Sequence, residues 1–252
     1  MRTNTTLVIN PKGGSGKTTV ATNLASFFAA NQVPTTLMDY DPQGSSLHWL
    51  RQRPATLVRI HAANAAPAKA GRMRSLDMRV PEETQQLVID APAGASGLLL
   101  QEMLARTSCI LIPVAPSAID IHATANFIRD LLLGGRIRMR NIRLGVVANK
   151  VRNSMPTYQP LERFLKSLDL PLVARLSDTD GYLTAAETGV GIFECEAPEC
   201  AQFQPIVEWV GGPQARVQPA AEKVVPLRAN DKLATARSVP GIIRRLWQPP
   251  TT

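Results

Sequence analysis

Cysteine is scarce in this chain: three thiols in 252 residues, Cys109, Cys195 and Cys200, cannot supply a disulfide framework. Cys195 and Cys200 have a spacing that a metal site can use. No second Cys or His pair accompanies them, so a zinc site is not expected. Cys109 lies in an apolar run and reads as core. No apolar run approaches the ~20 residues of a membrane-spanning helix. The chain enters a strand-like run almost at once, so no signal peptide is expected and a cytoplasmic location is. There is no internal repeat. Acidic residues are also in deficit, with 20 Asp and Glu against 28 Lys and Arg, for a net charge of +8 and a pI of about 9.9. Such a balance favours nucleic acid or an anionic membrane as partner, although a basic protein with no polyanion partner has the same arithmetic.

What the chain does have is apolar residues, 44% of the total, and length enough for one large α/β domain with a substantial core. Short apolar runs read as strands at Thr6 to Ile9, Thr35 to Met38, Leu57 to Ile60, Gln86 to Ile89, Cys109 to Val114, Leu144 to Ala148 and Leu172-Val173. Helical spacing fills the gaps, from Lys17 to about Asn31 and around 97–106, 118–133 and 157–168. Continuous apolar strands alternating with helices predict an α/β fold, a mostly parallel sheet covered by helices on both faces. Two stretches break the rhythm. Residues 62–80 are rich in Ala, Arg and Lys and resist assignment. Residues 213–252 hold six prolines and a net charge of +5, against +3 for the rest of the chain. The expected organisation is therefore one α/β domain over 1–212 and a basic, Pro-rich, flexible tail over 213–252.

The segment Lys12-Gly13-Gly14-Ser15-Gly16-Lys17-Thr18-Thr19 carries the clearest chemistry. A phosphate loop needs glycines, so that backbone N–H groups can turn inward around oxygens. It needs a lysine for the β and γ phosphates and a hydroxyl for Mg²⁺. It should leave a strand and open a helix, whose positive end favours anions. Residues 6–31 meet every condition, with Lys17 as phosphate lysine and Thr18 as Mg²⁺ ligand. The loop departs from the ordinary pattern twice. Pro11 replaces the usual first glycine, and a second lysine, Lys12, stands at the loop's start. Lys12 is too far back to duplicate Lys17 within one chain, so it is expected to reach the phosphates of another subunit.

The run Asn10 to Thr19 resembles the deviant Walker A motif of the ParA/MinD family, a branch of the P-loop NTPase fold. The resemblance continues through Met38-Asp39-Tyr40-Asp41-Pro42-Gln43-Gly44-Ser45, Val88-Ile89-Asp90-Ala91-Pro92-Ala93-Gly94, Pro113 to Ser117, Ala148 to Arg152, Ala185 to Gly189 and Ile192-Phe193-Glu194. This ordered series covers about residues 5–211. It implies an ATP-dependent sandwich homodimer that closes around two nucleotides and is reopened by slow, partner-stimulated hydrolysis to ADP and phosphate. It implies that Lys12, Lys17 and Asp41 carry the reaction, Asp41 by holding the attacking water. It implies that Thr18, Asp39 and Asp90 serve Mg²⁺, and that Asn149 and Asp178 border the base. Asp39 or Asp41 taken alone is also consistent with a strand-end cap.

The resemblance leaves two matrices open. ParA-type members bind DNA without sequence preference; MinD-type members bind membranes through a C-terminal amphipathic helix. Arg152, Arg163, Lys166 and Arg175 are the candidates for DNA, with Arg136, Arg138, Arg140 and Arg143 as a second cluster; a solvated basic face is the plain alternative. Gly241 to Trp247 could present Ile242, Ile243, Leu246 and Trp247 on one face of an interfacial helix. Two turns between prolines make that helix marginal in isolation. The motif wording is closest to cargo-positioning members, the carboxysome-distribution (McdA-type) ATPases among them, which pair with a small ParB- or McdB-like activator on the nucleoid. Plasmid or chromosome partition is the main rival. No helix-turn-helix precedes the first strand, so operator reading is not expected.

Overall fold

The structure is a computed structural model of the chain and describes residues 3–67, 74–134, 137, 141–152 and 159–211. The expectations for the 213–252 tail, for Gly241 to Trp247 and for Arg136, Arg138 and Arg140 lie outside the described residues.

Seven parallel strands form one sheet in the order β3-β2-β4-β1-β5-β6-β7. They are β1 (Asn4–Val8), β2 (Thr35–Asp39), β3 (His61–Asn64), β4 (Gln86–Asp90), β5 (Cys109–Val114), β6 (Arg143–Val151) and β7 (Leu172–Ser177). The described helices are α1 (Lys17–Ala30), α2 (Ser45–Gln52), α3 (Arg74–Asp77), α4 (Gly97–Ala105), α5 (Ala118–Leu133), α6 (Gln159–Ser167), α7 (Gly181–Glu187) and α8 (Cys200–Gly211), with a 3₁₀ turn at Ile192–Glu194.

Alternation along the central strands feeds two separate cores. Leu7, Met38, Ile89, Ile110 and Val146 join Met103, Ile128 and Leu165 from α4, α5 and α6 on one face. Val8, Leu37, Val88, Leu111 and Val147 join Leu24, Trp49, Tyr182 and Phe203 from α1, α2, α7 and α8 on the other. A strand buried on both faces cannot alternate polar and apolar residues, which is why β5 and the middle of β4 read as continuous apolar runs.

The third strand is four residues later than expected. Leu57 to Ile60 is not a strand: Leu57 N–H turns back to the Pro54 carbonyl, and the Val58 carbonyl is taken by Arg53. His61 to Asn64 pairs with β2 instead, at the sheet edge, where only Ala63 is fully buried and an apolar run is not required. The 62–80 stretch thus holds this edge strand and α3.

Candidate nucleotide site

Parallel strands deliver their carboxyl ends to one rim of the sheet, the usual place for a ligand crevice in open α/β folds. Here β1 delivers the glycine loop, β2 delivers Asp39, and β4 delivers Asp90. Asp39 and Asp90 stand directly opposite each other in register, with Val8 on the far side of Asp90.

The loop is fixed before any ligand enters. Asn10 is 1% exposed and works as a bracket. Its Oδ1 accepts from Lys12 N–H at 2.9 Å, and its Nδ2 donates to the Pro113 carbonyl (2.8 Å) and to Thr124 Oγ1 (3.0 Å). One side chain therefore ties the loop to the end of β5 and to α5. Sequence reasoning gave Asn10 no such task; the signal available was an Asn two residues before the amide it accepts from, a common local turn. At the far end, Gly16 caps α1 in the left-handed region with φ 93°. Asn149 Nδ2 donates to the Ser15 carbonyl at 2.9 Å and lies against Gly16, where a Cβ would overlap it. The space and the backbone angle both require glycine there. Asn149 thus meets the loop backbone.

Lys17 is buried, and its Nζ donates across the loop to the Lys12 carbonyl at 2.9 Å. Burial lowers its pKa, while Asp90 and Asp41 pull the other way. Thr18 Oγ1 donates to Asp90 Oδ2 at 2.8 Å, and Asp90 Oδ1 is buried with no hydrogen-bond partner among the described residues. Burial, then the negative charge of Asp39, pushes the Asp90 carboxyl up to about 7; Thr18 and Lys17 oppose this. A hydroxyl and a carboxylate with an unsatisfied buried oxygen are the hard-oxygen donor set that Mg²⁺ takes in phosphate sites. The residues present fit that ion.

Asp39 is fully buried. Its Oδ1 accepts from Asp41 N–H (2.9 Å), and its Oδ2 from Ser46 N–H (3.1 Å) and Leu47 N–H (3.3 Å). It therefore seats the amino end of α2, and burial raises its pKa. Asp41 is half-buried; Oδ1 accepts from Gln43 N–H at 2.9 Å, and Oδ2 has no hydrogen-bond partner among the described residues.

The remaining candidates scatter. Asp178 does not reach the loop: its carboxylate takes Arg152 at 2.6 Å, so a base candidate and a DNA candidate partner each other. Arg175 pairs with Glu162. Arg163 and Lys166 are exposed on α6. The Arg143 guanidinium caps α8, donating to the carbonyls of Trp209 (2.5 Å) and Val210 (2.9 Å). Both Cys195 and Cys200 direct their thiols at the Ile192 carbonyl, and no metal-holding cluster occurs among the described residues. No described helix is long and apolar enough to cross a membrane.

Comparison with known proteins fits this geometry. The chain is 25% identical over 198 residues to the maintenance of carboxysome distribution protein A of Halothiobacillus neapolitanus, covering 77% of this chain and 88% of that protein. Its fold superposes on an ATP complex of McdA from Cyanothece with a TM-score of 0.65 at 15% identity, covering 86% of this chain and 99% of that one. It superposes on the MinD cell division protein of Aquifex aeolicus with a TM-score of 0.64 at 15% identity, covering 86% and 100%. Residues 6–192 match the CobQ/CobB/MinD/ParA nucleotide binding domain, a span that includes the loop and all three site carboxylates, and the chain belongs to that family.

Proposed function

We propose that this chain is an ATP-hydrolysing switch that dimerises on ATP, holds non-specific DNA in that state, and positions a cellular cargo with an activating partner protein. The observation that carries the reading is the Thr18–Asp90 contact, with Asp39 in register beside Asp90, at the end of a glycine loop that Asn10 and Asn149 brace. Lys17 and the loop amides of Gly13 to Thr19 would bind the β and γ phosphates. Thr18 and Asp90 would hold Mg²⁺, with Asp39 adding negative charge behind them; the ion would offset charge on the phosphate oxygens. Asp41 would orient water.

Dimerisation is supported by two exposed apolar side chains on the loop's rim. Leu98 and Ile119 are 83% and 73% exposed, in the first turns of α4 and α5. The lead-in to α4 is bonded to the loop through Gly94 N–H to the Pro11 carbonyl, and α5 is bonded to it through Asn10. A second copy closing on the nucleotide would cover both. Lys12→Ala is expected to abolish the ATP-dependent dimer in light scattering while ATP binding stays within a few-fold; a dimer that forms as in wild type would remove the cross-subunit role.

The DNA component draws on Arg163, Lys166, Arg152 and Arg175. The pairs made by Arg152 and Arg175 are exposed, and exposed pairs are worth only ~0–1 kcal/mol, so phosphate can replace the carboxylates. The relative named for carboxysome distribution makes that cargo the first to test. Binding to random duplex DNA and to anionic liposomes, each with ATP or ADP across a salt series, tests the matrix. ATP-dependent DNA binding that weakens steeply with salt is expected. Liposome binding that disappears on removing 241–252 would replace DNA by membrane.

A further inference from the structure

Arg74, in the Ala/Arg/Lys-rich stretch that the motifs leave unused, reaches the catalytic rim. Its guanidinium takes Glu102 of α4 with two nitrogens, at 3.0 and 3.1 Å. It also donates twice to the Ala65 carbonyl just past β3, at 3.0 and 2.7 Å. The same guanidinium lies over the ring of Tyr40, 5.6 Å from its centroid. The Tyr40 hydroxyl donates to the same Glu102 carboxylate at 3.0 Å. Tyr40 is fully buried, and burial pushes its phenol up to about 12, so it remains a donor at neutral pH.

Tyr40 is the residue between Asp39 and Asp41. Its backbone N–H is fixed on the Asp90 carbonyl at 3.0 Å, and the Asp39 carbonyl accepts from Ala65 N–H at 2.8 Å. Its side chain packs in the α4-side core, so it leaves the strand on the face opposite Asp39. The backbone that presents Asp41 is thus pinned from one side by β4 and from the other by the carboxylate on α4. We propose that Tyr40, Glu102 and Arg74 are positioning residues for Asp41, so that the placement of α4 sets the rate of hydrolysis; this rests on the reading of Asp41 as the water-orienting carboxylate.

The test is a double-mutant cycle on basal ATP turnover, with Asp41→Ala as control. Tyr40→Phe removes only the hydroxyl and is expected to lower kcat roughly tenfold, the rate equivalent of a hydrogen bond to a charged group at the low end of its range, with KM for ATP within twofold. Glu102→Ala should lower kcat about as much, and Tyr40→Phe with Glu102→Ala should fall no further. Glu102→Gln keeps an oxygen for the phenol and should restore kcat to within about twofold of wild type. A purely structural contact would lower the melting temperature while leaving kcat intact at temperatures where every variant is folded. That result, or additive falls in the double variant, would overturn the inference. Unaltered turnover in Asp41→Ala would instead sink the reading beneath it.

Discussion

Glu194→Ala is expected to destabilise the folded chain by about 3–5 kcal/mol, the usual consequence of removing one partner from a buried ion pair. The side chains of Arg53 and Glu194 are 5% and 4% exposed. All five guanidinium N–H groups of Arg53 are used. Two go to the Glu194 carboxylate, two to the Val58 carbonyl and one to the Gly189 carbonyl. Glu194 Oε2 also accepts from Gly191 N–H at 2.9 Å. Truncation leaves a guanidinium in the core with two donors unmet, and water cannot reach them without opening the packing. The pair joins α2 to the 189–194 segment, which is itself tied to α1 by Ile192 N–H to Asn23 Oδ1 at 2.8 Å. Gly189, at φ +67°, lets that segment pass against the Arg53 backbone where a Cβ would overlap it. For a domain this size the loss corresponds to a fall in Tm on the order of 10 °C. Glu194→Gln should recover part of it by keeping an acceptor. A Tm change under about 2 °C in Glu194→Ala would mean that the pair is not desolvated in solution.

How much of this was legible in the sequence depends on whether a residue's partner is near in the chain. The glycine loop, the central strands and the carboxylates at their ends announce themselves because each obeys a local rule: apolar run, then glycines, then a helix. The edge strand did not. Its side chains need no core, so Leu57 to Ile60 outcompeted His61 to Asn64 in pattern while the backbone pairing chose the latter. The capping role of Arg143 is not visible in the sequence because its partners lie 66 and 67 residues away. Arg152 and Asp178 were assigned to DNA and to the base, and their contact across 26 residues was invisible for the same reason. Asp39 and Asp41 look equivalent in a Asp-Tyr-Asp string. The family resemblance assigns them different tasks, and the fold supplies a physical difference: Asp39 is surrounded by three backbone N–H groups, whereas Asp41 Oδ2 has no hydrogen-bond partner among the described residues.

That separation gives the second large effect. Asp41→Ala is expected to lower ATP turnover by about 100-fold or more, the scale of a positioned acid–base group, with ATP affinity held within a few-fold. Three carboxylates meet at the rim, and their surroundings sort them. Asp90 has one oxygen on Thr18 and the other buried beside it, which suits a cation and leaves no approach for a water aligned with phosphorus. Asp39 spends Oδ1 on the Asp41 N–H and Oδ2 on the amino end of α2. Asp41 alone is half-exposed, with Oδ1 steadied by Gln43 N–H and Oδ2 directed to no described residue. A group that orients water must be held at one oxygen and available at the other, and only Asp41 satisfies both conditions. Because its carboxylate makes no hydrogen bond to the loop among the described residues, its loss should spare phosphate binding. ATP should then persist on the protein, and the ATP-dependent dimer should outlast the wild-type one in a light-scattering time course. Lys17→Ala gives the contrast: it should lose ATP binding and the dimer together. Turnover within threefold of wild type in Asp41→Ala would move the water to a different residue, and a dimer that decays at the wild-type rate would separate dimer lifetime from hydrolysis.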